Sequence, residues 1–73
     1  MTGTERLYEY KISYRRSRFQ EQGKKYAQCV DDEAAIDTLE FMVSRIDGGA
    51  NPILIEKYCP YRQQWLFVKS YEN

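Results

Sequence analysis

Residues 31–49, DDEAAIDTLEFMVSRIDGG, decide the architecture. Asp31 has the short carboxylate of a helix N-cap, and Asp32 and Glu33 suit the positive end of a helix dipole. Ala35, Ile36, Leu39, Met42, Val43 and Ile46 recur at helical spacing and form one apolar stripe. Phe41 falls off that stripe, beside Asp37, Ser44 and Arg45. Asp47-Gly48-Gly49 predicts the helix end, because glycine takes a left-handed cap at no steric cost. Asn51-Pro52 adds a second break signal. The spacing therefore predicts one amphipathic helix, with most of the acidic charge spent on its cap and solvated face.

The flanking segments have the other period. In residues 7–16, Tyr8, Tyr10, Ile12 and Tyr14 alternate with Glu9, Lys11, Ser13 and Arg15, which predicts a strand with one buried face. Gly23 is read as a turn residue needing a positive φ, with a second strand over residues 25–30. A Gln22-Gly23 turn puts Ala27 and Cys29 on the face of Tyr10, Ile12 and Tyr14. Residues 53–58 and 64–69 predict two more strands, joined by a turn at Cys59-Pro60-Tyr61-Arg62. The order is strand–strand–helix–strand–strand. The fold class expected is α+β, a four-stranded antiparallel sheet with one helix packed on one face. A chain of 73 residues is read as one domain, 1–73, flexible at 1–5 and 70–73.

The second hairpin carries apolar side chains on both faces. If it is centred on Pro60-Tyr61, residue 55 opposes 66 and residue 53 opposes 68. Ile53, Ile55, Leu66 and Val68 then form one face, and Leu54, Tyr58, Trp65 and Phe67 the other. A half-exposed antiparallel sheet alternates apolar and polar residues, and one helix covers one face. Three explanations stand: the tail, the 17–24 loop or sheet curvature covers the second face; the face self-associates; or it meets a different partner.

Charge and composition narrow the function. The net charge is zero but bipolar: residues 5–28 carry +4, residues 29–47 carry −5 and residues 48–73 carry +1. That argues against a dedicated duplex-DNA binder, which carries a net positive charge. There is no histidine, and Cys29 and Cys59 stand apart without a CxxC pair, so neither a metal centre nor an activated thiol is expected. No phosphate-binding glycine loop occurs. Catalysis and cofactors are not expected, and the cysteines are read as small buried thiols. No apolar run reaches the length of a membrane span, and the start of the chain has no apolar signal region, so a cytoplasmic location is expected.

What remains is binding. Arg15, Arg16 and Arg18 follow the aromatic strand and are placed at an exposed hairpin end. With Tyr58, Trp65 and Phe67 they form the candidate partner-binding set, since arginine and aromatic residues dominate interface hot spots. The same residues could stack single-stranded bases and meet phosphates. The length, the element order and the aromatic–arginine first hairpin resemble the small bacteriophage-encoded regulators of host RNA polymerase, of the Xanthomonas phage inhibitor and antiterminator type. Small anti-CRISPR proteins share the layout. The resemblance spans the chain, rests on size and layout, and carries no residue role across. A monomer or weak dimer is expected, and a phage-encoded protein of this kind acts in the host cytoplasm. Such a protein docks on RNA polymerase to block initiation or promote antitermination, with nucleic acid as a secondary contact.

Overall fold

The computed structural model describes residues 6–18 and 21–71. The elements run β1 (Tyr8–Arg16), β2 (Gln22–Cys29), α1 (Asp32–Ser44), β3 (Ala50–Cys59) and β4 (Gln64–Ser70). The strands form one antiparallel sheet in the order β2-β1-β3-β4, with α1 on one face. The expected α+β fold and element order are those of the structure.

The helix starts as its sequence dictates. Asp31 has an extended backbone, and its Oδ1 accepts from the Ala34 amide at 2.8 Å. Its end comes three residues before the Asp47-Gly48-Gly49 break. The Ser44 hydroxyl donates to the Phe41 carbonyl at 2.7 Å, the acceptor that an α-helix would offer to the Arg45 amide. The Arg45 amide turns to Met42 O and the Ile46 amide to Val43 O, so the last turn tightens and closes. Gly48 and Gly49 take positive φ, 84° and 85°, in the loop that follows.

Ala35, Leu39 and Val43 are the buried residues of the apolar stripe, and Ile36, Met42 and Ile46 flank them half-buried. They meet Tyr10 and Ile12 of β1, Cys29 of β2 and Ile55 of β3, all buried. The helix body lies over β2, β1 and β3.

Two phenols tie the helix to the sheet. Tyr10, fully buried, donates its hydroxyl to Asp32 Oδ1 at 2.7 Å, in the first helical turn. Tyr71 donates to Glu40 Oε2, which also accepts from Lys69 Nζ at 3.3 Å. The Tyr10 hydroxyl thus points into the helix–sheet seam. Ser70 lies within β4, and the Tyr71 amide bonds Ile53 O at 2.9 Å. The expectation of flexibility at residues 1–5 and 72–73 falls outside the described residues.

Both hairpin registers differ from those the turns suggested. β1 pairs Tyr8 with Cys29 and Tyr14 with Gly23, so the β1–β2 loop begins at Ser17 and Gly23 is a strand residue. Gly23 has no positive φ; the requirement there is space, since a Cβ would come within 2.5 Å of the Tyr14 hydroxyl oxygen. In the second hairpin Tyr58 faces Trp65 and Lys57 faces Leu66, about a four-residue turn whose last residue, Gln63, takes φ 54°. Both errors are even-numbered, in the second hairpin between the turn and the bulge beyond it. A strand's side chains alternate with period two, so an even slip changes the partner and keeps the face.

Two bulges were not foreseen. The β1–β3 register shifts at Ser13/Tyr14, where Pro52 sits opposite Tyr14. Proline lacks a ladder donor, and a bulge is where a strand tolerates it. The β3–β4 register shifts at Ile55/Glu56. There Val68 and Lys69 both turn toward the helix side, one packing on the core and the other bonding Glu40.

Leu39→Ala is expected to cost about 2–5 kcal/mol, a large part of a small domain's stability. Phe41→Ala, 60% exposed on the same helix, should change it by less than about 0.5 kcal/mol. Urea titrations of the two variants check this, and equal losses would displace Leu39 from the core.

The phenols also set a pH window. Burial, then the bonds to Asp32 and Glu40, raise Tyr10 and Tyr71 above the ordinary 10.0. Their contribution is complete below about pH 10 and is lost as pH climbs beyond it. The Tyr71 hydroxyl holds the Glu40 carboxyl below its ordinary 4.5 against the opposing effect of burial, with Lys69 assisting. That contribution is complete above about pH 4.5 and is lost as pH falls further. Thermal melts should show a plateau between these limits, and Tyr10→Phe should flatten the alkaline limb.

Candidate functional site

One helix cannot cover this sheet. α1 has 13 residues, about 20 Å of helix. β3 has ten residues, about 33 Å of strand. Among the described residues nothing covers the far face of the sheet, and the alternation of each strand determines what stands there.

From β1 the open face receives Glu9, Lys11, Ser13 and Arg15, and from β2 Lys24, Tyr26 and Gln28, by their alternation with the core residues Tyr10, Ile12 and Cys29. β3 adds Leu54, Glu56 and Tyr58, and β4 adds Trp65 and Phe67. Leu54, Tyr58, Trp65 and Phe67, read from the sequence as one of the two opposite apolar faces of the second hairpin, share the open face.

The centre of this face is an ion pair with a lid. Lys11 Nζ lies 3.4 Å from Glu56 Oε1, with side chains 13% and 23% exposed. Trp65 covers the pair: Lys11 Nζ stands 4.3 Å from its ring centroid. Tyr58 meets Trp65 edge-on at 5.2 Å and 61°, and Tyr26 meets it at 6.2 Å and 54°. Tyr26, Lys11, Tyr58 and Trp65 come from β2, β1, β3 and β4 in turn, so a belt of three aromatic rings and the lysine crosses the whole sheet. The cation over the indole and the edge-on rings are favourable electrostatic contacts of the π quadrupole. Phe67, 68% exposed, stands beside the belt, and Tyr26 is 51% exposed.

At one end the belt continues into a depression of about 450 Å³, lined by Tyr58 together with Leu7, Tyr8, Gln28, Pro60 and Tyr61. Tyr61 is 86% exposed. At the other end stand Arg15 and Lys24, both exposed.

The three arginines do not form one cluster. Arg15 is on the open face. Arg16, one residue on, turns to the helix side, reaches Glu21 at 3.5 Å and lines a groove of about 560 Å³ with Tyr14, Lys25, Phe41, Met42 and Arg45. Arg18 lies exposed in the turn. Sequence reasoning placed them together because a charge run is contiguous in the chain; a strand sends successive side chains to opposite faces.

Tyr26, Lys11 and Glu56 are the members of the site not singled out from sequence. Tyr26 was within reach, since it alternates with Ala27 and Cys29. The Lys11–Glu56 pairing depends on a register between distant segments and has no local signal. Among the described residues no cluster of His, Cys, Asp or Glu could hold a metal ion, and both cysteines are free thiols, Cys29 buried and Cys59 half-buried. No helix among the described residues is long and apolar enough to cross a membrane.

Trp65→Ala is expected to stay folded by circular dichroism and to lose about 1–2 kcal/mol, less than the roughly 3–5 kcal/mol of a core aromatic. A loss in the core range would make the belt structural. Trp65 is the single tryptophan, so Lys11→Met should also move its fluorescence. No family model, curated protein or solved structure matches the chain, so the reading of the site rests on its own geometry.

Proposed function

We propose that the chain is a non-catalytic docking module that binds a protein surface through its open sheet face. The observation that carries this is the aromatic belt Tyr26–Trp65–Tyr58, with Phe67 beside it, on the face opposite the helix. Exposed aromatic groups of this size act as desolvated anchors in protein interfaces. Arg15 and Lys24 at one end supply charges that steer a partner of opposite sign.

A protein partner is favoured over single-stranded nucleic acid by the state of the central cation. Lys11 is already neutralised by Glu56 and lies against the indole, so one face of Trp65 is taken and the belt's own lysine does not offer its charge to phosphate. Base-stacking platforms pair open rings with a cationic groove.

The resemblance in length and layout to phage regulators makes bacterial RNA polymerase the first partner to test. Action there would be steric or allosteric, by occupying a surface needed for initiation or for termination. The anti-CRISPR layout makes a CRISPR effector the second.

Binding of purified RNA polymerase is measured with the wild type and with Phe67→Ala/Tyr26→Ala. The double variant should bind about 30-fold more weakly, the equivalent of one hot spot near 2 kcal/mol. Phe41→Ala, on the helix side, should bind as the wild type does. Arg15→Glu should slow association and reduce its salt dependence. Failure of the wild type to bind at micromolar concentration removes the polymerase. Salt-steep binding to an oligonucleotide in its place moves the face to nucleic acid.

A further inference from the structure

The two edges of the sheet are built differently. β2 carries Gly23, Lys24 and Lys25, and the helix packs against it. Lysines on an edge strand are a usual guard against edge-to-edge pairing. β4, QWLFVKS, has one charge, Lys69, and it is paired with Glu40 of the helix at 3.3 Å. Among the described residues no strand pairs with the outer edge of β4.

β4 is also apolar on both sides. Trp65 and Phe67 stand on the open face. Leu66, opposite Lys57, and Val68 stand on the helix side, at the rim of the helix's cover, with Leu66 36% exposed. Strands apolar on both faces belong inside sheets. Here such a strand stands at the edge.

We infer that β4 pairs antiparallel with β4 of a second copy, giving a two-fold dimer with one continuous eight-stranded sheet. The occupant follows from symmetry and charge. In a two-fold contact each residue meets its own copy or a near neighbour, so a charged strand repels itself. β4 meets that condition because its single charge is already paired with Glu40, and β2 with two lysines fails it. Pairing of β4 with β2 of another copy would propagate without closing, and the lysines guard that route. Closure also brings Leu66 and Val68 of the two copies together in the gap between the two helices. The aromatic belts then run side by side across the dyad, doubling the docking face. This inference stands apart from the choice of docking partner, because its test reads the edge and Leu66, not the belt.

Sedimentation equilibrium on the full chain is the test. The wild type should show twice the 8.7 kDa chain mass at tens of micromolar. Leu66→Glu should remain folded by circular dichroism and dissociate at least about tenfold more readily. In a Cys59→Ser background, Leu66→Cys should be joined by a short bismaleimide, and Lys24→Cys, on the other edge, should not. A monomeric wild type at hundreds of micromolar overturns the inference, and so does a dimer whose affinity Leu66→Glu leaves unchanged. Should Leu66→Glu unfold, the cross-linking pair decides: equal yields at the two edges, or none at position 66, overturn it.

Discussion

A 13-residue helix laid on a four-stranded sheet with a ten-residue central strand leaves most of the sheet without a helical partner, and everything else in this molecule follows from that mismatch. The buried core is correspondingly small: Tyr10, Ile12, Cys29, Ala35, Leu39, Val43 and Ile55. A domain of this size buries about 60% of its unfolded surface and has little stability in reserve. Contacts outside the core therefore matter more than they would in a larger protein.

The tyrosines are one answer to that shortage. Tyr10 and Tyr71 present apolar rings to the seam and polar tips to helix carboxylates, Asp32 in the first turn and Glu40 in the third. Each joins the helix to the sheet by a hydrogen bond as well as by packing, which suits a side chain with an apolar body and a polar end. Lys57 over the Tyr8 ring at 3.9 Å adds a cation–π contact where the core thins out.

The open face is handled differently. Its centre is an ion pair shielded by Trp65, so the sheet is stabilised there without a second layer. The cost of partial desolvation is offset by the pair and by the indole above it. This arrangement leaves a firm aromatic surface whose outer members, Phe67 and Tyr26, face solvent. A surface already organised in the free molecule loses less conformational freedom on docking. The same shortage of cover gives β4 its mismatch between a central-strand composition and an edge position.

Periodicity alone carried much of this from the chain. The helical stripe from Ala35 to Ile46 and the alternation around Ile12 and Trp65 assign each side chain to a face, and a face assignment survives any even error in register. That is why Leu54, Tyr58, Trp65 and Phe67 were placed together although the hairpin turn was misjudged. Local chemistry likewise marked Asp31 as the cap. Register, bulges and lateral order are of another kind. They depend on contacts between segments far apart in sequence, such as Lys11 with Glu56, and on competition at single atoms, such as Ser44 for the Phe41 carbonyl. No local pattern encodes them. The arginines show the division most simply: a run in the chain became three different environments, because only the folded backbone says which way each successive side chain points.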